Sequence, residues 1–158
     1  MRRVAMVPAV SLMCVAPWIC AQSLQLQANP AGKDGLATIT LASPPGAEPV
    51  ALQWEFSLPV PMVMDSRGAA VGEAARQVQK FVRCEILANR QGKDQTCRCI
   101  LAGGVKTIPN GAVATLPYNV RNSRPGRYAL EMKKALAVNA DGKKAVIKDT
   151  RAEIVVPK

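Results

Sequence analysis

From Leu24 onward, apolar and polar residues alternate in short runs set between turn clusters. The run Val50–Ser57 alternates most cleanly, with Val50, Leu52, Trp54 and Phe56 on one face, the period-two pattern of a strand buried on one side. Leu24–Gln27 alternates in the same way, and Leu36–Leu41 is β-branched, so both read as strands around the turn cluster Asn29–Gly35. Further runs at Gln79–Leu87, Thr96–Leu101 and Ala112–Val120 form a meander. The polar segment Asn89–Asp94 separates the first two of these, and Pro109-Asn110-Gly111 precedes the third. Tyr128–Lys133 and Leu136–Val138 read as one strand bent or bulged near Lys134. Asp141-Gly142 supplies another turn, and Ala145–Lys148 and Arg151–Val156 close the chain.

Helix signal is nearly absent. Leu58-Pro59-Val60-Pro61 cannot be a central strand, because each proline removes a ladder donor, and it reads as an extended edge or loop. Ala69–Gln77 is alanine-rich and predicts one or two helical turns. Eight to nine strands at this spacing, with so little helix, predict an all-β sandwich.

Composition sharpens this picture in three ways. The chain has 158 residues, enough for a real core in about one domain. Its formal charge of +10 is read as solubility rather than as a mark of nucleic-acid binding. It contains no histidine, which excludes a histidine-based triad, a histidine-ligated zinc site and the commonest general base.

The N-terminus has the build of a secretory leader. Arg2 and Arg3 precede an uncharged apolar stretch, Val4–Ile19, with small residues after it. Residues 1–21 are therefore expected to be removed between Ala21 and Gln22, leaving a domain over residues 22–158 outside the cytoplasm. Pro8 and Pro17 interrupt the apolar stretch, which argues against a retained membrane helix. Acylation at Cys20 is disfavoured by the bulky Ile19 before it.

Cys84, Cys97 and Cys99 remain after such cleavage, and export favours a disulfide among them. Cys97 and Cys99, two apart on a strand, face the same way and are poor partners for each other. Cys84 can reach either: pairing with Cys99 centres the hairpin between Gln91 and Gly92, and pairing with Cys97 centres it between Arg90 and Gln91. A three-thiol metal site lacks a fourth ligand and suits an exported strand badly. No cofactor is expected.

Enzyme chemistry finds little to build on. Asp65, Glu73, Asp94 and Asp141 lie in turns or polar stretches without the pairing that acid/base work needs, and Ser43, Ser66 and Ser123 have no histidine to activate them. Lys33, Lys93, Lys133, Lys134, Lys143, Lys144 and Lys148 fall mostly in or beside loops and read as a solvated rim. Trp54 shares its face with three large apolar residues, so it is expected in the core rather than as a sugar-stacking platform.

The run Val50–Phe56 resembles the A-L-Q-F-D-L-like strand of cohesin domains, and Gly68-Ala69-Ala70 is similar to the next segment of those domains. Cys99–Gly103, Ile108–Leu116 and the ending from Gly126-Arg127-Tyr128-Ala129-Leu130 through Asp141-Gly142 to Glu153–Val156 resemble secreted cohesin-like proteins of Acidobacteria-type bacteria. The resemblance covers most of Leu24–Val156. It implies a nine-stranded jelly-roll β-sandwich shared with some carbohydrate-binding modules, and it aligns Cys99. Together with the glycine placed in the turn, that favours Cys84–Cys99 as the bond and Cys97 as the free thiol. Where cohesins continue the first strand into Tyr-Asp-Pro, this chain has Leu58-Pro59.

The expected function is that of an exported, non-enzymatic binding module whose partner is another extracytoplasmic protein, met through a sheet face. The alternative is polysaccharide binding. That alternative normally calls for two or three exposed aromatic rings, and this chain has only six aromatics in all, one of them within the leader.

Overall fold

The computed structural model describes residues 21–31, 34–87, 95–120 and 125–156. Residues 1–20 of the expected 1–21 leader, the hairpin segment Asn89–Asp94 and most of the turn Asn122–Gly126 lie outside the described residues, as do Lys33 and Lys93.

Eleven strands, rather than nine, are found among the described residues. They are β1 (Ser23–Ala31), β2 (Asp34–Ala42), β3 (Ala51–Leu58), β4 (Met62–Met64), β5 (Ala70–Val71) and β6 (Phe81–Leu87), then β7 (Gln95–Ala102), β8 (Gly111–Val120), β9 (Gly126–Val138), β10 (Lys144–Ile147) and β11 (Thr150–Val156). The added count comes from β4 and β5, three and two residues long, too short for any periodicity to register. Both pair with β8, Met62 opposite Val120 and Ala70 opposite Thr115.

The strands form two sheets. One has the order β1-β2-β8-β4, with β5 also on β8; the other has the order β10-β9-β3-β7-β6, with β11 also on β9. Inward-facing residues of both, among them Ile39, Leu116, Trp54, Phe56, Leu101 and Met132, meet in a fully buried core. This is two-layer sandwich packing with alternate residues inside.

The expected turn Asn29–Gly35 is corrected in the structure. Asn29, Pro30 and Ala31 continue β1, paired with Leu36, Gly35 and Asp34. Pro30 is tolerated because β1 is an edge strand, where a missing donor leaves no ladder bond unmade. Gly35 serves close packing: a Cβ there would lie 2.2 Å from Cζ of Tyr118, its partner on β8.

The alanine-rich segment keeps one short helix, α1 (Glu73–Arg76), which buries Ala74 and Ala75. It lies close over β8: a Cβ on Gly72 would meet the Ala112 carbonyl oxygen at 2.4 Å, and Gly72 N–H bonds Val113 O at 2.9 Å. Beyond it, Gln79 takes a left-handed φ of 57°, so β6 begins at Phe81, two residues later than the sequence pattern places it. The intervening Lys80 is buried, its Nζ donating to Gly103 O at 2.5 Å, and desolvation lowers its pKa.

The bend expected near Lys134 is a β-bulge. Lys134 has φ of 50°, and the β3–β9 register shifts between Gln53–Leu136 and Glu55–Lys133. On its other edge β9 carries β11 along Gly126–Met132 and β10 along Ala135–Val138.

Candidate docking face

The outward face of the six-stranded sheet gathers the most distinctive surface chemistry. Cross-strand pairing sets its side chains in transverse rows. One row runs Val146 on β10, Leu136 on β9, Gln53 on β3, Ile100 on β7 and Arg83 on β6, each directly opposite the next. Three of its five members are aliphatic, and Val146 is 82% exposed and Ile100 43%. In the adjacent row Phe81, 57% exposed, stands opposite Ala102. Val146, Leu136, Ile100 and Phe81 give this face an apolar strip, interrupted on β3 by Gln53.

On the strip's other side the next row is charged: Lys133, Glu55, Arg98 and Glu85, again in direct register. Glu55 alternates outward from Trp54 and Phe56, yet it is only 5% exposed. Arg98 Nε and Nη2 donate to its Oε1 at 3.0 and 2.7 Å, and Lys134 Nζ lies 3.0 Å from Oε2. The bulge turns Lys134 onto the same face as Lys133, allowing both β9 cations to approach this row. Burial raises the Glu55 pKa, but the hydrogen bonds from Arg98 and Lys134, with their charges, outweigh it and hold the carboxyl below its ordinary value.

The cysteines lie behind this face, on the inner side of the same sheet. Cys84 and Cys99 are direct cross-strand partners on β6 and β7 and are joined by a disulfide; Cys97 is a buried thiol. The three Sγ atoms lie within 4.8 Å of one another. With two of them bonded together, one thiol remains to meet a metal, too few ligands for a zinc site. Burial first, and the charge of Glu85 second, push the Cys97 thiol up to about 11.

Of the carboxylates weighed for acid/base work, the three among the described residues have partners. Asp65 caps a 3-10 turn by accepting from Arg67 N–H at 3.0 Å, Glu73 pairs with Arg76 at 3.5 Å, and Asp141 pairs with Lys143 at 2.9 Å. Asp94 and Ser123 lie outside the described residues. Ser43 is buried beside Asn110, and Ser66 opens the 3-10 turn. Lys133 pairs with Glu131 at 2.5 Å, while Lys144 and Lys148 are exposed. Trp54 is fully buried, as its neighbours on the strand require.

Sequence reasoning missed Glu55 and Arg98. Each is an ordinary polar position on an alternating strand, and only the pairing of β3 with β7 brings them together. Lys134 had a visible signal in the break of alternation, but nothing in the sequence names its partner.

Among the described residues no helix is long and apolar enough to cross a membrane. No protein-family model and no curated protein matches the sequence. Solved structures do. A non-cellulosomal cohesin from Archaeoglobus fulgidus superposes with a TM-score of 0.60 at 12% identity, over 86% of this chain and 92% of that one. The cohesin–dockerin complex Coh-OlpC-Doc435 from Clostridium thermocellum gives 0.60 at 12%, over 85% and 94%. The sixth cohesin of scaffoldin B from Acetivibrio cellulolyticus, solved with a Cel5 dockerin mutant, gives 0.60 at 9%, over 85% and 99%. The two sheets, their inward core and these superpositions together give the chain the fold of the cohesin modules, a jelly-roll β-sandwich.

Proposed function

We propose that this chain is an exported, non-enzymatic docking module that holds another protein against the outer face of its six-stranded sheet. The observation that carries the reading is the set of exposed Val146, Ile100 and Phe81 with half-buried Leu136, spread across one sheet face beside a fixed row of charges. Exposed apolar area rimmed by polar groups is the usual mark of a protein contact surface. Two of the similar solved structures are cohesins in complex with dockerins, which lends the same reading support from fold. The leader-like N-terminus and the Cys84–Cys99 disulfide support a setting outside the cytoplasm.

The test is capture from the native envelope with the chain beginning at Gln22 as bait, and then identification of the bound protein. The double variant Ile100→Glu with Val146→Glu should lose that protein, whereas Leu36→Glu, an exposed aliphatic on the other sheet, should retain it. Equal capture by all three baits would overturn the assignment of the face. The polysaccharide alternative rests on this face with a single well-exposed aromatic, Phe81. Retention of the chain on an insoluble glycan, lost in Phe81→Ala, would favour it instead.

A further inference from the structure

We infer that Arg98 and Lys134 form a receptor for one carboxylate of the docked partner, an Asp or Glu side chain set among apolar neighbours. The inference rests on the docking role proposed for this face and names the chemistry it selects.

The geometry is that of an anchored cation pair. Glu55 forms the floor, its side chain 7% exposed, while Arg98 and Lys134 stand above it at 39% and 73%. One carboxylate binds two cations, so the triad taken by itself has a net charge of +1. Arg98 commits Nε and Nη2 to Glu55, and its Nη1 makes no hydrogen bond to any described residue. A guanidinium held by one edge keeps the other as a planar fork for a second carboxylate, and Lys134 supplies a point charge beside it. Anchoring to a buried group lowers the side-chain ordering cost of binding.

The surrounding groups define the occupant. Glu85 lies opposite Arg98 on β6, Glu131 occupies Lys133, and Asp149 Oδ1 accepts from Lys134 N–H at 3.2 Å. Anions thus punctuate the cations of this face, which suits a single inserted negative charge better than the evenly spaced phosphates of a polyanion. The row beside the triad holds Ile100 next to Arg98 and Leu136 and Val146 beyond Gln53, so a ligand whose charge sits over Arg98 can lay a flanking residue on aliphatic surface. A protein side chain supplies both features.

The probes are two blocked tripeptides, acetyl-Leu-Glu-Leu-amide and acetyl-Leu-Gln-Leu-amide, titrated into the isotope-labelled chain beginning at Gln22. The readouts are the Arg98 Nε–H resonance and the backbone amides of Ile100 and Leu136. The Glu peptide should saturate these shifts with about tenfold tighter binding than the Gln peptide. That ratio should fall toward one in Arg98→Gln and in Lys134→Gln, and stay unchanged in Lys144→Gln. Lys134 is a surface side chain, so its variant serves if Arg98→Gln folds poorly. Equal affinity of both peptides on this face overturns the receptor, and the docking face then stands or falls by the capture experiment. Shifts confined to the Asp141–Lys144 turn, or no saturable shift with either peptide, also overturn it.

Discussion

Asn110 binds the Ser43 backbone twice with one side chain. Ser43 N–H donates to Asn110 Oδ1 at 2.7 Å, and Asn110 Nδ2 donates to Ser43 O at 3.0 Å. The amide thereby acts as one extra residue of strand, satisfying the backbone where β2 ends and β8 begins. Asn110→Ala should destabilise the chain by about 1–3 kcal/mol, because it leaves a part-buried backbone pair unmade. Asn110→Asp keeps the acceptor but sets a carboxylate oxygen against the Ser43 carbonyl oxygen, and should cost at least as much. Urea midpoints of the two variants check the order.

Trp54 is the sole tryptophan of a chain beginning at Gln22 and is fully buried, with Nε1 unpartnered among the described residues. Its emission should be blue-shifted in the folded state, and Trp54→Ala should cost about 3–5 kcal/mol. Trp54→Phe gives up volume but also removes an unmet donor, so its cost should be well below that of alanine. Solvent-like emission quenched by oligosaccharide would make Trp54 a ligand platform and count against its place in the core.

Cys97 ties stability to pH on the alkaline side. Its thiol titrates near 9 when unfolded and is pushed up to about 11 by burial in the folded chain. The unfolded chain therefore loses this proton first as pH rises. The thiol's contribution is whole below pH 9 and is lost progressively toward pH 11, by about 2–3 kcal/mol in all. Cys97→Ala should flatten that part of the pH profile. In the chain beginning at Gln22, alkylation at pH 8 should spare Cys97 when folded and label one thiol after denaturation, with the Cys84 peptide still bound to that of Cys97–Cys99.

Glu55 works in the opposite direction. Its carboxyl is held below the ordinary range because Arg98 and Lys134 outweigh the burial that would raise it. Its contribution is present above the unfolded carboxyl pKa, about 4.3, and is lost as pH falls through the lower folded value. Glu55→Gln should lower stability at neutral pH by about 1–3 kcal/mol and blunt the loss between pH 5 and 3. A profile in acid parallel to that of the unaltered chain would remove the ion triad.

The sandwich is legible in the sequence wherever a strand is half-buried and long enough to alternate, as Val50–Ser57 and Leu36–Leu41 are. It is illegible where tertiary partners set the conformation. Pro30 belongs to a strand because that strand lies at an edge, and Gly35 lies opposite Tyr118 because the ring needs its space. Met62–Met64 pairs with β8 just after a turn from β3 that the prolines at 59 and 61 obscure. The face was harder still to find. Its apolar strip and its ion triad are each built from residues on three or more strands, and no local pattern marks Ile100, Glu55 or Arg98 as neighbours.

The bulge on β9 separates what the core needs from what the surface needs. Met132 points inward, Lys133 outward and Ala135 inward, so Lys134 is the supernumerary residue between two stretches already in phase. Deleting it would leave every buried side chain of β9 on its own side, and the step at Lys148–Asp149 opposite, between β10 and β11, can take up the difference. A sandwich alone has no use for that residue. A shortened chain that folds at near-normal stability, yet can no longer bring a second cation to Glu55, would mark Lys134 as an insertion kept for what the sheet meets rather than for how it folds.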